Sequence, residues 1–267
     1  MNNSIVNIID LSDEILLTIF KKLDNFDVLY SLVGVNKKLD NVACDIDFTR
    51  SVDLMTISLN GVADPGTNAI LDRFCMHILP HIHNKVECLT VEACFLHRVI
   101  HAGNYLNLRK LTLVNLQLSV ASHIFNEKSP FINIFQHQIS DLAVTISDAL
   151  SNVSMKKSLI AVYDSIFVLL TDLKSLEFHL NDIYPFRGPL LTGLSSTKCF
   201  SSSIVYLRIK MHNIDDCLYL LDGRLSHLRT FIVNLDYIHE PTNIGFNPTI
   251  IPRSLKIINN AVKNYIQ

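Results

Sequence analysis

The side chains best suited to bind a metal lie in one short stretch, from Cys75 to His83. His77, His81 and His83 follow Cys75 closely, and thiolate and imidazole are common ligands of transition metals. Pro80 is expected to disrupt any helix that would place His77 and His81 on one face, and no carboxylate or second cysteine completes the set. The stretch is therefore not predicted to bind a metal.

A second group, Cys94 with His97 and His101, contains the residue types of a cysteine nucleophile and its base. No orienting carboxylate accompanies it, and the spacing of the two histidines is typical of a solvated helix face. The sequence contains no GxGxxG, no phosphate-binding loop motif and no HExxH, and only eight glycines. We therefore expect a protein that is not an enzyme and needs no cofactor.

The stretch from Leu11 to Ala43 predicts three short helices. Ser12 is a good N-cap, Asp24 and Asn25 interrupt the first apolar stripe, Gly34 ends the second helix, and Asn36 can cap the third. These helices carry more large aliphatic residues than such a small bundle can enclose. Either the rest of the chain or a partner protein must cover the remainder.

The order of residues in this stretch resembles the F-box, the adaptor-binding motif of ubiquitin-ligase substrate receptors. The matching residues are Leu11, Glu14, Ile15, Leu16, Ile19, Phe20, Leu23, Leu29, Leu32, Val35, Lys37 and Lys38. The sequence departs from the motif at Ser12, where proline is usual, at Asn36, where cysteine is common, and at Leu39, where an aromatic residue is frequent. The resemblance implies docking on a Skp-family adaptor, and through it on a cullin, by Leu11, Ser12, Glu14, Ile15, Leu16, Ile19, Leu29, Leu32, Val35 and Leu39.

Beyond residue 48 a repeated pattern appears, with apolar residues separated by two variable positions and then by one. Its central apolar residues are spaced from 22 (Leu89 to Leu111) to 34 (Met55 to Leu89) residues apart. They are Met55, Leu89, Leu111, Leu142, Leu176, Leu207 and Phe231, and a weaker echo occupies Ser254 to Asn259. Each unit predicts a short strand, and the intervening residues are long enough for helices at 69–79, 120–125, 161–170 and 217–225.

This alternation resembles a leucine-rich-repeat array, although several spacings exceed the usual repeat length; an ordinary α/β domain is the alternative. In such an array the residues that alternate with the inward aliphatic ones line the concave face. The large polar and aromatic groups at these positions are concentrated in the C-terminal half, which suggests a site for a protein substrate. The predicted substrate-binding residues are Glu177, His179, Tyr206, Arg208 and Lys210.

Composition limits the classes of partner and compartment. The 23 basic and 25 acidic residues nearly cancel, which argues against nucleic acid as the main partner. The most apolar run, 160–170, is interrupted by Asp164 and is too short to span a bilayer. The first residues lack the features of a secretory signal, and six cysteines without a framework spacing are typical of reduced thiols. We expect a cytoplasmic or nuclear protein with no membrane partner.

Together these observations predict an α/β protein with two parts, a three-helix F-box-like module at 8–48 and an irregular leucine-rich-repeat-like solenoid of parallel strands and helices at 49–267. The resemblance implies a substrate-recognition subunit of an SCF-type (cullin-RING) ubiquitin ligase, whose substrate the sequence does not identify. The alternative is an interaction scaffold outside any ligase, whose N-terminal helices cap the repeats. An enzyme of an unrecognised class would instead require a deep polar pocket with perturbed titratable groups.

Overall fold

The computed structural model describes residues 7–55, 65–147, 153–180, 203–211, 217–218, 220–221, 225–235 and 252–259. The chain divides into two compact units, Met1–Arg109 and Lys110–Gln267, which are described separately below. Both units contain α-helices and parallel β-strands, so the predicted α/β class is confirmed. The predicted boundary after residue 48 falls inside the first of these units.

The described part of the first unit begins with a 3₁₀ turn (Ile8–Asp10), followed by four short helices, three of which the sequence predicted. They are α1 (Asp13–Phe20), α2 (Asn25–Leu32), α3 (Lys37–Ala43) and α4 (Ile46–Thr49). The side chain of Asn36 caps α3 by accepting from the backbone N–H groups of Lys38 and Leu39, at 3.0 and 2.9 Å. Gly34 provides the positive φ of +80° that the turn before α3 requires.

The remainder of the first unit alternates strands with helices. Strand β1 (Ser51–Asp53) is parallel to β2 (Cys88–Glu92), with Val52 opposite Leu89. Between them lie α5 (Pro65–Arg73), a π-helical turn (Phe74–Ile78), α6 (Leu79–Ile82) and a 3₁₀ turn (His83–Lys85). A 3₁₀ turn (Ala93–Phe95) and α7 (Leu96–Ile100) follow β2. Helix α2 packs on β1 and on the π-helical turn, which is why the helical module and the residues up to Arg109 form one unit.

The second unit contains six described strands that pair in sequence order, each parallel to the next. They are β3 (Lys110–Leu116), β4 (Asp141–Ile146), β5 (Ser175–Leu180), β6 (Tyr206–Met211), β7 (Thr230–Leu235) and β8 (Ser254–Asn259). The helices are α8 (Leu118–Ile124), α9 (Pro130–Phe135) and α10 (Val153–Leu169). This arrangement buries one face of each strand from β3 to β7.

The central residues of the predicted repeat lie directly opposite one another in this unit. Leu111 pairs with Leu142, Leu142 with Leu176, Leu176 with Leu207, and Leu207 with Phe231. All five are buried, with exposed fractions of 2% or less. The repeat pattern therefore marked the positions and register of β3 to β7 correctly.

In two repeat units the sequence pattern predicts the wrong central residue. In the first, whose apolar residues are Val52, Met55 and Ile57, Val52 and not Met55 faces Leu89, because the strand ends at Asp53. Ile57 lies outside the described residues. In the last, the weak echo at Ser254 to Asn259 is a complete strand in which Leu255, not Ile257, faces Phe231. In a short strand with several apolar residues, the sequence does not show which of them aligns with the central residue of the next strand. Pairing with the neighbouring strand determines this register.

The predicted helices at 69–79, 120–125 and 161–170 are present, as parts of α5 with its π-helical turn, of α8 and of α10. Of the predicted helix at 217–225, only 217–218, 220–221 and 225 lie within the described residues. Among the helices of the described ranges, none combines the length and apolar character needed to cross a bilayer.

Candidate functional site

The helical module exposes a row of large aliphatic side chains on α1. Ile15 and Ile19 are 48% and 42% exposed, and Leu23, just after the helix, is 52% exposed. The spacing of four residues places Ile15 and Ile19 on one side of the helix. Val35, in the turn before α3, is 57% exposed. We call these four exposed apolar residues of the helical module the α1 surface; large exposed apolar side chains are a feature of protein-binding sites.

The predicted adaptor-binding residues fall into three groups by burial. Ser12, Glu14, Ile15, Ile19 and Val35 are exposed, whereas Leu11 and Leu32 are half-buried. Leu16, Leu29 and Leu39 are buried in the core of the first unit.

The periodicity of α1 explains why neighbours in sequence belong to different groups. Leu16 and Phe20 point to the inner side of the helix, and Ile15 and Ile19 lie on the outer side. Leu16, Leu29 and Leu39 therefore hold the module together, and only the exposed and half-buried residues can reach a partner without unfolding it.

Lys38 joins α3 to the start of α1. Its Nζ donates to the carbonyl oxygens of Ile9 and Leu11, at 2.9 and 2.5 Å, and lies 3.8 Å from Asp13 Oδ1. Next to it, a hydrogen bond from Ser12, followed by smaller contributions that include the charge of Lys38, lowers the pKa of the exposed Glu14 carboxyl. The basic position of the motif thus has a structural role in this chain.

The predicted substrate-binding residues lie on two neighbouring strands of the second unit. Glu177 is directly opposite Arg208, and Ser175 is opposite Tyr206. Glu177 Oε2 is 3.1 Å from His179 Nε2 and 3.8 Å from Arg208 Nη1, so one carboxylate interacts with both side chains. The structure therefore brings Glu177, His179, Tyr206 and Arg208 together on one face.

Lys210 differs from the other four predicted substrate residues because it is only 7% exposed. It lies opposite Asn234 and has interactions within the chain. Arg208 Nε and Asn234 Oδ1 are shielded from solvent and have no hydrogen-bond partner among the described residues. Asn234, which was not among the predicted substrate residues, extends the polar group across a third strand.

The histidines near Cys75 do not form a metal site within the described part of the chain, where no group of three metal-binding side chains occurs. The expectation that Pro80 disrupts the helix is corrected. The helical path runs from the π-helical turn into α6 with Pro80 in its first turn, where proline is tolerated. As a result His81 Nδ1 lies 2.6 Å from the carbonyl oxygen of His77 and is engaged by the backbone.

Cys94 is not activated as a nucleophile in this structure. Although Cys94 is an exposed residue, partial desolvation of its thiol, followed by the charge of Glu92, raises the thiol pKa to about 11. His97 and His101 contact each other through their Nε2 atoms at 3.1 Å on α7. An effective nucleophile needs a lowered thiol pKa, so this group lacks the electrostatics for catalysis.

No protein-family model matches this sequence, and no curated protein matches it. Function is therefore inferred from the order of the residues and from the geometry of the two surfaces.

Proposed function

We propose that this chain is a non-catalytic substrate receptor of an SCF-type (cullin-RING) ubiquitin ligase, working in the cytoplasm or nucleus. In this proposal the F-box-like module binds a Skp-family adaptor, and the leucine-rich-repeat-like region holds a protein substrate. The receptor acts by proximity, because it raises the effective concentration of the substrate near the ubiquitin-charged enzyme. The chemistry takes place on another subunit.

The α1 surface is the observation that carries the proposal. Leu16 and Leu29 of the module are 0% exposed in the core of the first unit, yet Ile15, Ile19 and Val35 remain about half exposed. Those exposed residues belong to the motif that the sequence resembles. An apolar surface on a completed core is what a docking module requires.

The substrate end of the proposal is supported by the second unit. Its strands place Glu177, Arg208 and Tyr206 on one half-exposed face of an ordered sheet. Tyrosine and arginine frequently contribute much of the binding energy at protein interfaces. The aligned repeat anchors support the leucine-rich-repeat-like interpretation of this region.

The direct test is adaptor binding by the full chain, wild type against Ile15→Asp plus Ile19→Asp. Leu16 is avoided because a carboxylate at a fully buried position would unfold the module. Desolvating two carboxylates is expected to cost about 3 kcal/mol or more, which weakens binding by more than about a hundredfold. Calorimetric titration with a purified Skp-family adaptor measures the change.

The matched control is Met76→Asp plus Leu106→Asp. These residues are 70% and 63% exposed, are also apolar, belong to the same unit and lie outside the α1 surface. The control should bind the adaptor as the wild type does. Wild-type protein that binds no adaptor would contradict the proposal.

The second candidate is a scaffold outside any ligase, in which the N-terminal helices cap the repeats. It is favoured by the packing of Arg73 and Phe74 against α2 within the first unit. This candidate predicts that deletion of residues 1–48 destabilises the remaining chain and that no adaptor binds. Because α2 packs on the rest of the first unit whichever candidate holds, adaptor titration of the full chain is the measurement that separates them.

A further inference from the structure

Positive charge predominates on one face of the sheet in the second unit. Directly paired residues of parallel strands point to the same side of a sheet, and the register places Glu177 opposite Arg208. The same row continues through Ile232 of β7 to Lys256 of β8, which is exposed. We call this side of β5 to β8 the basic face. Its charged and histidine side chains within the described strands are Glu177, His179, Arg208, Lys210 and Lys256.

The charge balance of the basic face differs from that of the whole chain. Its described permanent cations are Arg208, Lys210 and Lys256. The one carboxylate of its described strands is Glu177, and Asp141 of β4 is offset by Lys110, directly opposite on β3. The whole chain carries a net charge of −2, so the excess of positive charge is local. A surface with an excess of one sign of charge favours a partner of the other sign.

Arg208 and Lys256 are the cations of the basic face that a partner can reach, because Lys210 is buried and engaged within the chain. Arg208 makes no side-chain hydrogen bond within the described part of the chain. Its Nη1 is 3.8 Å from Glu177 Oε2, and its Nε is shielded from solvent without a partner. The side chain is nevertheless 37% exposed, and a guanidinium matches the geometry of a carboxylate. Arg208 can therefore accept a closer carboxylate than the chain provides.

Glu177 opposes the binding of acids at this position. Its Oε2 is 3.1 Å from His179 Nε2, which is nearer than Arg208, so the carboxylate interacts with Arg208 only at the longer distance. An acidic group that approaches Arg208 is repelled by Glu177 and competes with it for the guanidinium. Removal of the negative charge of Glu177 should therefore strengthen the binding of an acid and weaken the binding of a base.

We propose that the basic face binds an acidic peptide segment of the substrate, with one carboxylate on Arg208, a second on Lys256, and Glu177 limiting the affinity. This inference rests on the proposed function, because it names the class of substrate for the same site. Arg208 and Lys256 are two strands apart, which corresponds to about 10 Å between their backbones. An extended peptide that crosses the strands covers this distance in about three residues. Its two acidic residues are therefore expected three positions apart.

The first test is fluorescence anisotropy with a short labelled peptide of alanine and serine that carries two glutamates three positions apart. Two further peptides carry glutamine or lysine at the same two positions. The full chain should bind the glutamate peptide at least about tenfold more tightly than either of the others. A glutamate peptide that binds no more tightly than the glutamine peptide overturns the inference.

A double variant tests the two cations. Arg208→Gln plus Lys256→Gln should bind the glutamate peptide at least about tenfold more weakly than wild type. The matched control is Lys128→Gln plus Lys157→Gln, which removes the same two positive charges from exposed positions in the helical part of the same unit. Its affinity should stay within about twofold of wild type. An equal loss in both variants would reduce the effect to net charge and overturn the site.

Glu177→Gln provides a gain of binding that a purely structural role does not produce. The variant should bind the glutamate peptide about fivefold more tightly than wild type, because repulsion and competition are both removed. It should also bind the lysine peptide no more tightly than wild type does. Weaker or unchanged binding of the glutamate peptide overturns the limiting role of Glu177.

Adaptor titration of the same protein separates this inference from the proposed function. Adaptor binding without a preference for the glutamate peptide overturns the inference and leaves the ligase proposal standing. A preference for the glutamate peptide without adaptor binding overturns the ligase proposal and leaves the basic face as the acid-binding site of a scaffold. A peptide that binds only when phosphoserine replaces glutamate overturns the choice of carboxylates as the recognised groups.

Discussion

Two buried tyrosines show that the effect of a buried hydroxyl group on stability depends on its hydrogen-bond partner. The Tyr105 hydroxyl donates to the carbonyl oxygen of the buried Val99 at 2.7 Å. The Tyr163 hydroxyl is equally shielded from solvent but has no hydrogen-bond partner among the described residues. Burial raises the pKa of both phenols, so both stay protonated. The two side chains are alike in burial and differ in hydrogen bonding.

This difference predicts opposite effects of the same substitution. Tyr105→Phe removes one donor from the Val99 carbonyl oxygen, which keeps the Ala102 backbone N–H at 3.0 Å, and should lower the free energy of unfolding by about 0.5–1.5 kcal/mol. Tyr163→Phe removes an unpaired hydroxyl and should leave stability unchanged or raise it by about 1 kcal/mol. Urea unfolding of the two variants and the wild type gives both values. An equal loss in the two variants would mean that the Tyr163 hydroxyl has a partner in solution.

The thiol of Cys94 gives a pH-dependent prediction at the same scale. With its pKa raised to about 11, the reactive thiolate is scarce at neutral pH and increases as the pH rises. Alkylation by iodoacetamide should accelerate about tenfold per pH unit from neutral pH toward pH 11. Mass spectrometry of the modified peptide measures the rate, with Cys94→Ser as the blank. Rapid modification at pH 7 would instead indicate an activated thiol.

At the scale of secondary-structure elements, Arg73 of α5 caps the C-terminal end of α2. Arg73 donates through Nε to the carbonyl oxygen of Tyr30 at 3.1 Å and through Nη2 to that of Val33 at 3.0 Å. Its guanidinium lies 5.2 Å from the centre of the Tyr30 ring. A cation at this position also interacts favourably with the helix dipole. Arg73 therefore couples the helical module to the rest of its unit.

Arg73→Met should consequently lower the free energy of unfolding of the first unit by about 2–3 kcal/mol, because two carbonyl groups lose a charged donor. Arg98→Met is the matched control, since Arg98 forms a partly exposed ion pair with Asp72 that is expected to contribute less than about 1 kcal/mol. Thermal unfolding of both variants tests the prediction. Equal destabilisation would mean that Arg73 has no special role.

At the scale of the whole molecule, the two proposed binding functions belong to different compact units. The α1 surface is in the first unit, and Glu177, Tyr206 and Arg208 are in the second. Mutations at one surface are therefore expected to leave binding at the other unchanged, since each surface is built from residues of its own unit.

Tyr206→Ala plus Arg208→Ala should abolish capture of the substrate while the affinity for the adaptor stays within about twofold of wild type. Quantitative mass spectrometry of co-purified proteins measures the first, and calorimetry the second. Thr112→Ala plus Thr145→Ala, on β3 and β4 of the same unit, is the control and should retain the substrate. An unchanged set of bound proteins in the Tyr206 and Arg208 variant would contradict the substrate site.

Much of the local structure was predictable because its signals are local. Ser12 and Asn36 mark the starts of α1 and α3, Gly34 marks the turn after α2, and the repeat anchors mark the strands from β3 to β7. The phase of β1 and β8 was not predictable, because several apolar residues in each short strand can serve as the anchor. Only the neighbouring strand selects Val52 and Leu255.

The sequence by itself determined which elements form and which residues are apolar, since helix caps, turns and periodicity depend on neighbours within a few positions. Tertiary structure decided which apolar residues remain exposed, because α1 packs through the side that carries Leu16 and Phe20 and leaves Ile15 and Ile19 in solvent. It also placed Glu177 opposite Arg208, and it brought Lys38 to a turn 29 residues earlier. These contacts join residues distant in the chain, so they exist only once the elements have packed.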